Sequence, residues 1–355
     1  MAAKTHFAKQ VEGEKPLSQA TASRLCRLAA EIGRIRPWGR LREEQLIAVE
    51  RSRRQEVDFV SVMGSLGEHE AIHVYPGAAG YSWYQDVCAA EDATDLLLAE
   101  CDSIRVAFPD PDELTGLDLD LIHSCRIPGL HKPFHFRSTR RGYYPWYINQ
   151  EEGLRLARCL ESLIAFFSSG ALERVGDRLW DDEKKQAPLL YKGAQGWMGT
   201  MLCMAIIKVN PPRLWLSDEE FAALPSGRKP GAMCLGGRVM PGVIGDGSKR
   251  PIVAYVVVAL DVRSERAYRP VLREPGRPLV EAAAEALAAA IKESGSVPER
   301  LLVADGRIAL GLSHLAGSLG IEIRLKSRLP LLDKFFGGLD KSMRPPVEDD
   351  PGRVH

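Results

Sequence analysis

The chain has 355 residues with as many basic as acidic side chains, so its formal charge is zero. That length allows two or three domains, and 45% apolar with 26% charged residues is the make-up of a soluble globular protein. Neutrality removes any whole-molecule attraction to nucleic acid or anionic lipid, and no apolar run approaches the roughly 20 residues of a membrane span.

Seven cysteines, odd in number and spread without a C-x-x-C pair, match a reducing compartment. A cytoplasmic protein with no membrane contact is therefore expected. Residues 1–16 have no apolar core for a secretory signal and read as a disordered tail. Leu25, Leu28, Ala29 and Ile32 then fall on one helical face, which predicts a helix from about Ser18 that Gly33 and Pro37 end. Strands follow at 46–50, 57–63 and 70–75, the last two a hairpin with a glycine-bracketed turn. Tyr75, Pro76, Gly77 and Ala78 suit a type II turn, with Pro fixing the first central φ and Gly accepting a positive second one. Helical spacing returns at Tyr81, Tyr84 and Cys88 and again at 93–99, and 103–108 is a further strand. This order predicts an α+β domain on a mostly antiparallel sheet.

Residues 109–147 read as one long irregular segment. Asn149 and Glu152 form a plausible capping pair for a helix lined by Leu156, Leu160, Leu163 and Phe167. The stretch 199–209 reads as a buried strand and 213–216 as a short one, with a small helix after Ser217. The proline- and glycine-rich runs 224–231 and 240–251 read as turns or linkers. A second hairpin at 252–261 and 266–273 precedes helices at 278–293, 308–319 and 331–336, with strands at 301–304 and 321–325. The expected division is a tail at 1–16, an N-terminal α+β domain at 17–168, a linker at 169–187, a mixed α/β domain of ββαβαβα order at 188–343, and a tail at 344–355.

Five motifs stand out together: Ile35 to Trp38 (IRPW), Val60 to Gly64 (VSVMG), Gly67-Glu68, Val74 to Gly77 (VYPG) and Gly142 to Trp146 (GYYPW). In combination they resemble an uncharacterised bacterial family of paired domains of unknown function. The match covers about 17–163, and the C-terminal half is similar to that family's second domain. The resemblance implies a two-domain division and an intracellular setting, and it brings no activity, ligand, cofactor or catalytic residue.

The sharpest local pattern is the basic and aromatic stretch holding Lys132, Arg137, Arg140, Arg141, Tyr143, Tyr144 and Trp146. Cations that neutralise phosphates, interleaved with rings that stack on bases, suit nucleic acid; the same groups also suit another protein. The competing reading is that the rings anchor a loop and the arginines are solvated. His123, Cys125, His131 and His135 are zinc-ligand types, but Pro128 and Pro133 interrupt them and no paired cysteines pre-organise the set, so no metal is expected. No other cofactor is expected either.

In the C-terminal half the element order is compatible with a degenerate ribonuclease H-like or integrase-like sheet. Asp261, Asp305 and Asp340 are then the candidate carboxylates of a Mg²⁺- or Mn²⁺-dependent nuclease. Against this, the strand missing from the lead of that sheet would be 199–209, which carries no acid, and Asp305 suits a helix cap equally well. Glu68, His69, Glu70 and His73 offer an acid–base pairing, although strand alternation makes them a polar sheet face instead. The sequence thus leads to non-catalytic binding of a macromolecule through 132–147, with the nuclease as its competitor.

Overall fold

The structure, a computed structural model, describes residues 13–52, 56–89, 100–181, 183–194, 196–204, 207, 216–245 and 249–343. The helical spacing read at 93–99, all but the last residue of the strand read at 213–216, and the tail at 344–355 lie outside them. The described chain divides into two units: the first takes residues up to 97, 101–209 and 245–251, the second 98–100, 210–244 and the rest.

In the first unit, Ser18 caps helix α1 (Gln19–Ile35), its hydroxyl accepting from Thr21 N. The helix runs through Gly33 and stops where Arg36 turns left-handed, at φ +50, before Pro37. Gly33 faces the Phe108 ring, where a Cβ would make an ordinary contact at 3.4 Å. Strands β1 (Ile47–Ser52), β2 (Glu56–Met63), β3 (Ala71–Pro76), β4 (Ser103–Ala107) and β5 (His135–Thr139) pair antiparallel in succession. The expected hairpin is β2–β3, joined across 64–70. Gly64 holds φ +103 there, and a Cβ would lie 2.8 Å from the Glu70 backbone, so no other residue fits without a shift. Gly77, at φ +62, opens helix α2 (Gly77–Ala89) directly after Pro76.

The segment 109–147 is not irregular. It holds a 3₁₀ turn, helix α3 (Gly116–Cys125) with a Thr115–Asp118 capping box, and β5. Next comes helix α4 (Gln150–Ser168), which begins with the Asn149–Glu152 box read from the sequence. The expected linker at 169–187 is likewise structured, with helix α5 (Ala171–Val175), a 3₁₀ turn and the start of β6 (Gln186–Gly193). Strand β6 pairs parallel with β1, and β7 (Gly196–Cys203) pairs with β6, so the sheet reads β5-β4-β3-β2-β1-β6-β7. The first unit therefore extends past the boundary expected at 188.

One face of this sheet packs on α1 and α4 around Leu25, Ile32, Ile47, Ile72, Leu156 and Leu160, all fully buried. Each such side chain contributes about 1.5–3 kcal/mol through burial. The second face, with Phe59 and Tyr75, packs under α2, whose Trp83 lies against Tyr75.

In the second unit the leading strand is not 199–209 but β8 (Arg228–Ile244), which takes in 228–231 and 240–244 of the two stretches expected as turns. Pro230 and Pro241 are tolerated because the register slips beside each of them, against β11 and β9 respectively. Gly237 is required by packing, since a Cβ would fall 2.3 Å from the Tyr255 ring. Helix α6 (Asp218–Ala222) precedes β8 behind a Ser217–Glu220 box. Strands β9 (Ile252–Asp261), β10 (Val271–Leu272), β11 (Val297–Val303) and β12 (Glu322–Leu325) complete a sheet of order β10-β9-β8-β11-β12. The first three strands in sequence are antiparallel, and β11 and β12 run parallel to β8. Helices α7 (Leu279–Ser294), α8 (Gly306–Leu319) and α9 (Pro330–Met343) supply the apolar faces that cover it.

Arg250 lies between β8 and β9 yet belongs to the first unit, where it is 2% exposed. Its guanidinium donates to Glu14 Oε1 at 2.9 Å, Glu152 Oε2 at 3.1 Å, Ser138 Oγ at 3.3 Å and the Tyr147 carbonyl at 3.3 Å. Arg140 bridges the same two carboxylates, at 2.9 and 2.8 Å. Glu14 was expected in a disordered tail; these partners and Asn149 fix it. Burial alone would raise its carboxyl, but Arg250, Asn149 and Arg140 hold it below the usual value. Replacing Arg250 by Ala strands two carboxylates against one guanidinium and is expected to cost about 3–5 kcal/mol. Urea denaturation followed by near-ultraviolet circular dichroism checks this; a loss no larger than that of an exposed arginine variant contradicts it.

Candidate functional site

Every cation of the basic and aromatic stretch has a carboxylate partner. Lys132 Nζ pairs with Glu70 at 2.6 Å, and Arg137 makes a two-pronged bond to Asp118 at 2.8 and 2.6 Å. Arg140 joins Glu14 and Glu152, and Arg141 faces Asp102 at 3.7 Å. Burial would raise the Asp118 carboxyl, but the Arg137 and Thr115 hydrogen bonds outweigh it and hold it low. Arg137 also stacks 4.5 Å over the Tyr147 ring. The reason for this placement is a short return of the chain: Ser138 and Trp146 exchange both backbone hydrogen bonds, with Gly142 at φ +78 in the bend. Tyr143 N donates to the Arg140 carbonyl and Tyr144 N to that of Pro251, so the ring-bearing residues are tied into the unit's frame.

The candidate nuclease carboxylates each do local work. Asp305 caps α8 through Arg307 N and Ile308 N and pairs with the Arg307 side chain at 3.2 Å. Asp261 holds the turn after β9, accepting from Arg263 N, Ser264 N and the Ser264 hydroxyl, and these bonds lower its pKa. Asp340 lies on α9, and its side chain falls outside the described set. The lead strand β8 bears no Asp or Glu. His123 is on α3 and His135 on β5, and among the described residues no group of three or more His, Cys, Asp or Glu is placed to hold a metal.

A concavity lies elsewhere in the first unit. A cavity of about 410 Å³ opens between the end of α4, α5 and the strands β6 and β7. Phe166, Leu179, Leu190, Trp197 and Met201 line it, with Arg174 at its margin. Strand β7 is the last in the sheet order, and Met198 and Met201 on it are 48% and 40% exposed. Arg174 donates to the Ser169 carbonyl and has no carboxylate partner among the described residues. These residues escaped the sequence reading because an apolar strand at a sheet edge looks like one at its centre. The one available signal was GWMGTMLC, an apolar run whose faces do not alternate.

Fold and site together define a two-domain α+β protein. Residues 23–187 match the family model "Domain of unknown function (DUF7309)" and residues 220–340 match "Domain of unknown function (DUF6930)". The chain thus carries two successive domains of unknown function, in keeping with an uncharacterised two-domain family. No curated protein matches it in sequence.

Two imidazoles on the second sheet face titrate well below the ordinary histidine value. Burial, then Arg105, pushes His73 down to about 3; burial, then Arg137, pushes His135 down to about 4. Both are neutral in the fold, whereas an unfolded imidazole protonates near 6.5. Their stabilisation is therefore complete above 6.5 and is lost as pH falls toward the folded values. Asp58, whose carboxyl burial raises, acts in the opposite sense, and the lowered Glu14 and Asp118 act only below 4.5. The urea midpoint is expected to fall between about pH 7 and about pH 5, and to fall less in His73→Gln. Parallel slopes for the two proteins would contradict this account.

Proposed function

We propose that this is a non-catalytic binding protein whose N-terminal unit takes an extended, apolar segment of another protein along β7. The observation that carries the reading is the exposed edge strand beside an apolar cavity. An added strand finds main-chain hydrogen bonds on such an edge and side-chain room in the cavity. Arg174 at the margin favours a segment that also bears an Asp or Glu. Nucleic acid is favoured less, because Lys132, Arg137, Arg140 and Arg141 already face carboxylates, which cancels most of the charge a phosphate backbone needs.

The strand order of the second unit, with its three antiparallel leading strands, suits the ribonuclease H-like reading. A shared sheet order does not bring an activity, however. With β8 free of acids and Asp305 and Asp261 engaged in a cap and a turn, support for two-metal cleavage is weak.

Selection from a displayed library of random extended peptides tests the proposal. The recovered peptides should carry apolar residues at alternate positions and an acid nearby. Their affinity is expected to fall at least about tenfold, or 1.4 kcal/mol, in a Met198→Glu, Met201→Glu double variant. Peptides that bind both proteins equally, or no enrichment at all, would overturn it.

A further inference from the structure

Two rows of side chains cross the second face of the first sheet where β3, β4 and β5 run side by side. His73, Arg105 and Arg137 are register partners in one row, and Ala71, Ala107 and His135 in the next. Directly opposed residues on one face of an antiparallel pair have Cβ atoms about 5 Å apart, and diagonal neighbours are within reach of long side chains. Arg105 therefore stands between His73 and Arg137, with His135 on its diagonal.

The charges in this grid do not balance. Asp118 is committed to Arg137 through both of its oxygens. The Arg105 side chain makes no hydrogen bond or ion pair among the described residues, and its Nε is buried without a partner. The groups that act on it are Arg137, Cys101 and Tyr75, none of them a carboxylate. Burial and Arg137 together lower its pKa, yet a guanidinium does not give up its proton in a protein. Both ring nitrogens of His135 are buried and unpartnered as well. Buried donors in a fold normally have acceptors, and several left open on adjoining side chains call for one shared acceptor.

We infer that the grid is a binding site for a small oxyanion, a phosphoryl or carboxylate group, held by the Arg105 fork with His73 and His135 donating beside it. A guanidinium offers parallel N–H groups that match two oxygens of such an anion. A neutral imidazole supplies one further N–H. The site lies on a different set of strands from the β7 groove and does not depend on it.

Titration calorimetry on the full chain, with inorganic phosphate, sulfate and acetate at fixed ionic strength, tests the assignment. A saturable single site is expected, weakened at least about tenfold in Arg105→Gln and unchanged in Arg328→Gln, an exposed arginine of the second unit. Phosphate binding tighter than acetate identifies a phosphoryl ligand, and the reverse order a carboxylate. Should Arg105→Gln fail to fold, histidine ¹⁵N resonances of the unaltered protein give the same answer: phosphate or acetate must shift those of His73 and His135. No saturable binding of any of the three, binding undiminished in Arg105→Gln, or a titration that leaves both histidines unmoved would overturn it.

Discussion

Two guanidinium groups and two carboxylates, Arg250 and Arg140 against Glu152 and Glu14, form a buried contact that joins four separate segments of the first unit. Arg250 is 2% and Glu152 9% exposed, so each charge is tolerable only because the others neutralise it and Ser138, Asn149 and the Tyr147 carbonyl take up remaining valences. Arginine suits this role where lysine would not, because its planar fork reaches several acceptors in fixed directions. Glu152 is at once the third residue of a helix cap and the acceptor of two arginines. The start of α4, the end of β5 and the segment before α1 are consequently fixed by one set of bonds.

The sheet that this contact anchors has two unlike faces. Toward α1 and α4 it is mostly apolar, with buried Asp58 facing Arg155 and Ser138 bonded to Glu152 as the polar points on it. The other face changes character along the strand order, from Phe59 and Tyr75 under α2 to His73, Arg105 and Arg137 near the β5 edge. Polar side chains on a half-covered face are cheap only where water or an acceptor reaches them. That physical asymmetry, rather than any sequence motif, distinguishes the two faces.

Much of the scaffold was legible because its signals are local. The Asn149–Glu152 box, the face of Leu25, Leu28, Ala29 and Ile32, and the β2–β3 alternation each need only a few neighbouring residues to be read. Segments whose structure depends on distant partners were misread. Strand β5 looked irregular because its short run is specified by pairing with β4, and β8 looked like linkers because its prolines sit where the register slips. Lys132, Arg137 and Arg140 looked like a free basic surface since their partners Glu70, Asp118 and Glu14 are brought in by folding. The edge position of β7 and the isolation of Arg105 are properties of strand order, which no run of residues declares.

Arg250 reaches its partners from far along the chain, and this has a consequence for biosynthesis. A ribosome delivers Glu14, Arg140 and Glu152 well before residue 250 exists. During that interval the first unit has two acids facing one arginine, and the surplus negative charge must stay hydrated or protonated. Closure of the site waits until the strand pair β8–β9 begins to emerge. The N-terminal unit, although it is made first, is thereby completed by a residue lying between two strands of its successor. Its final consolidation is timed by synthesis of the second half.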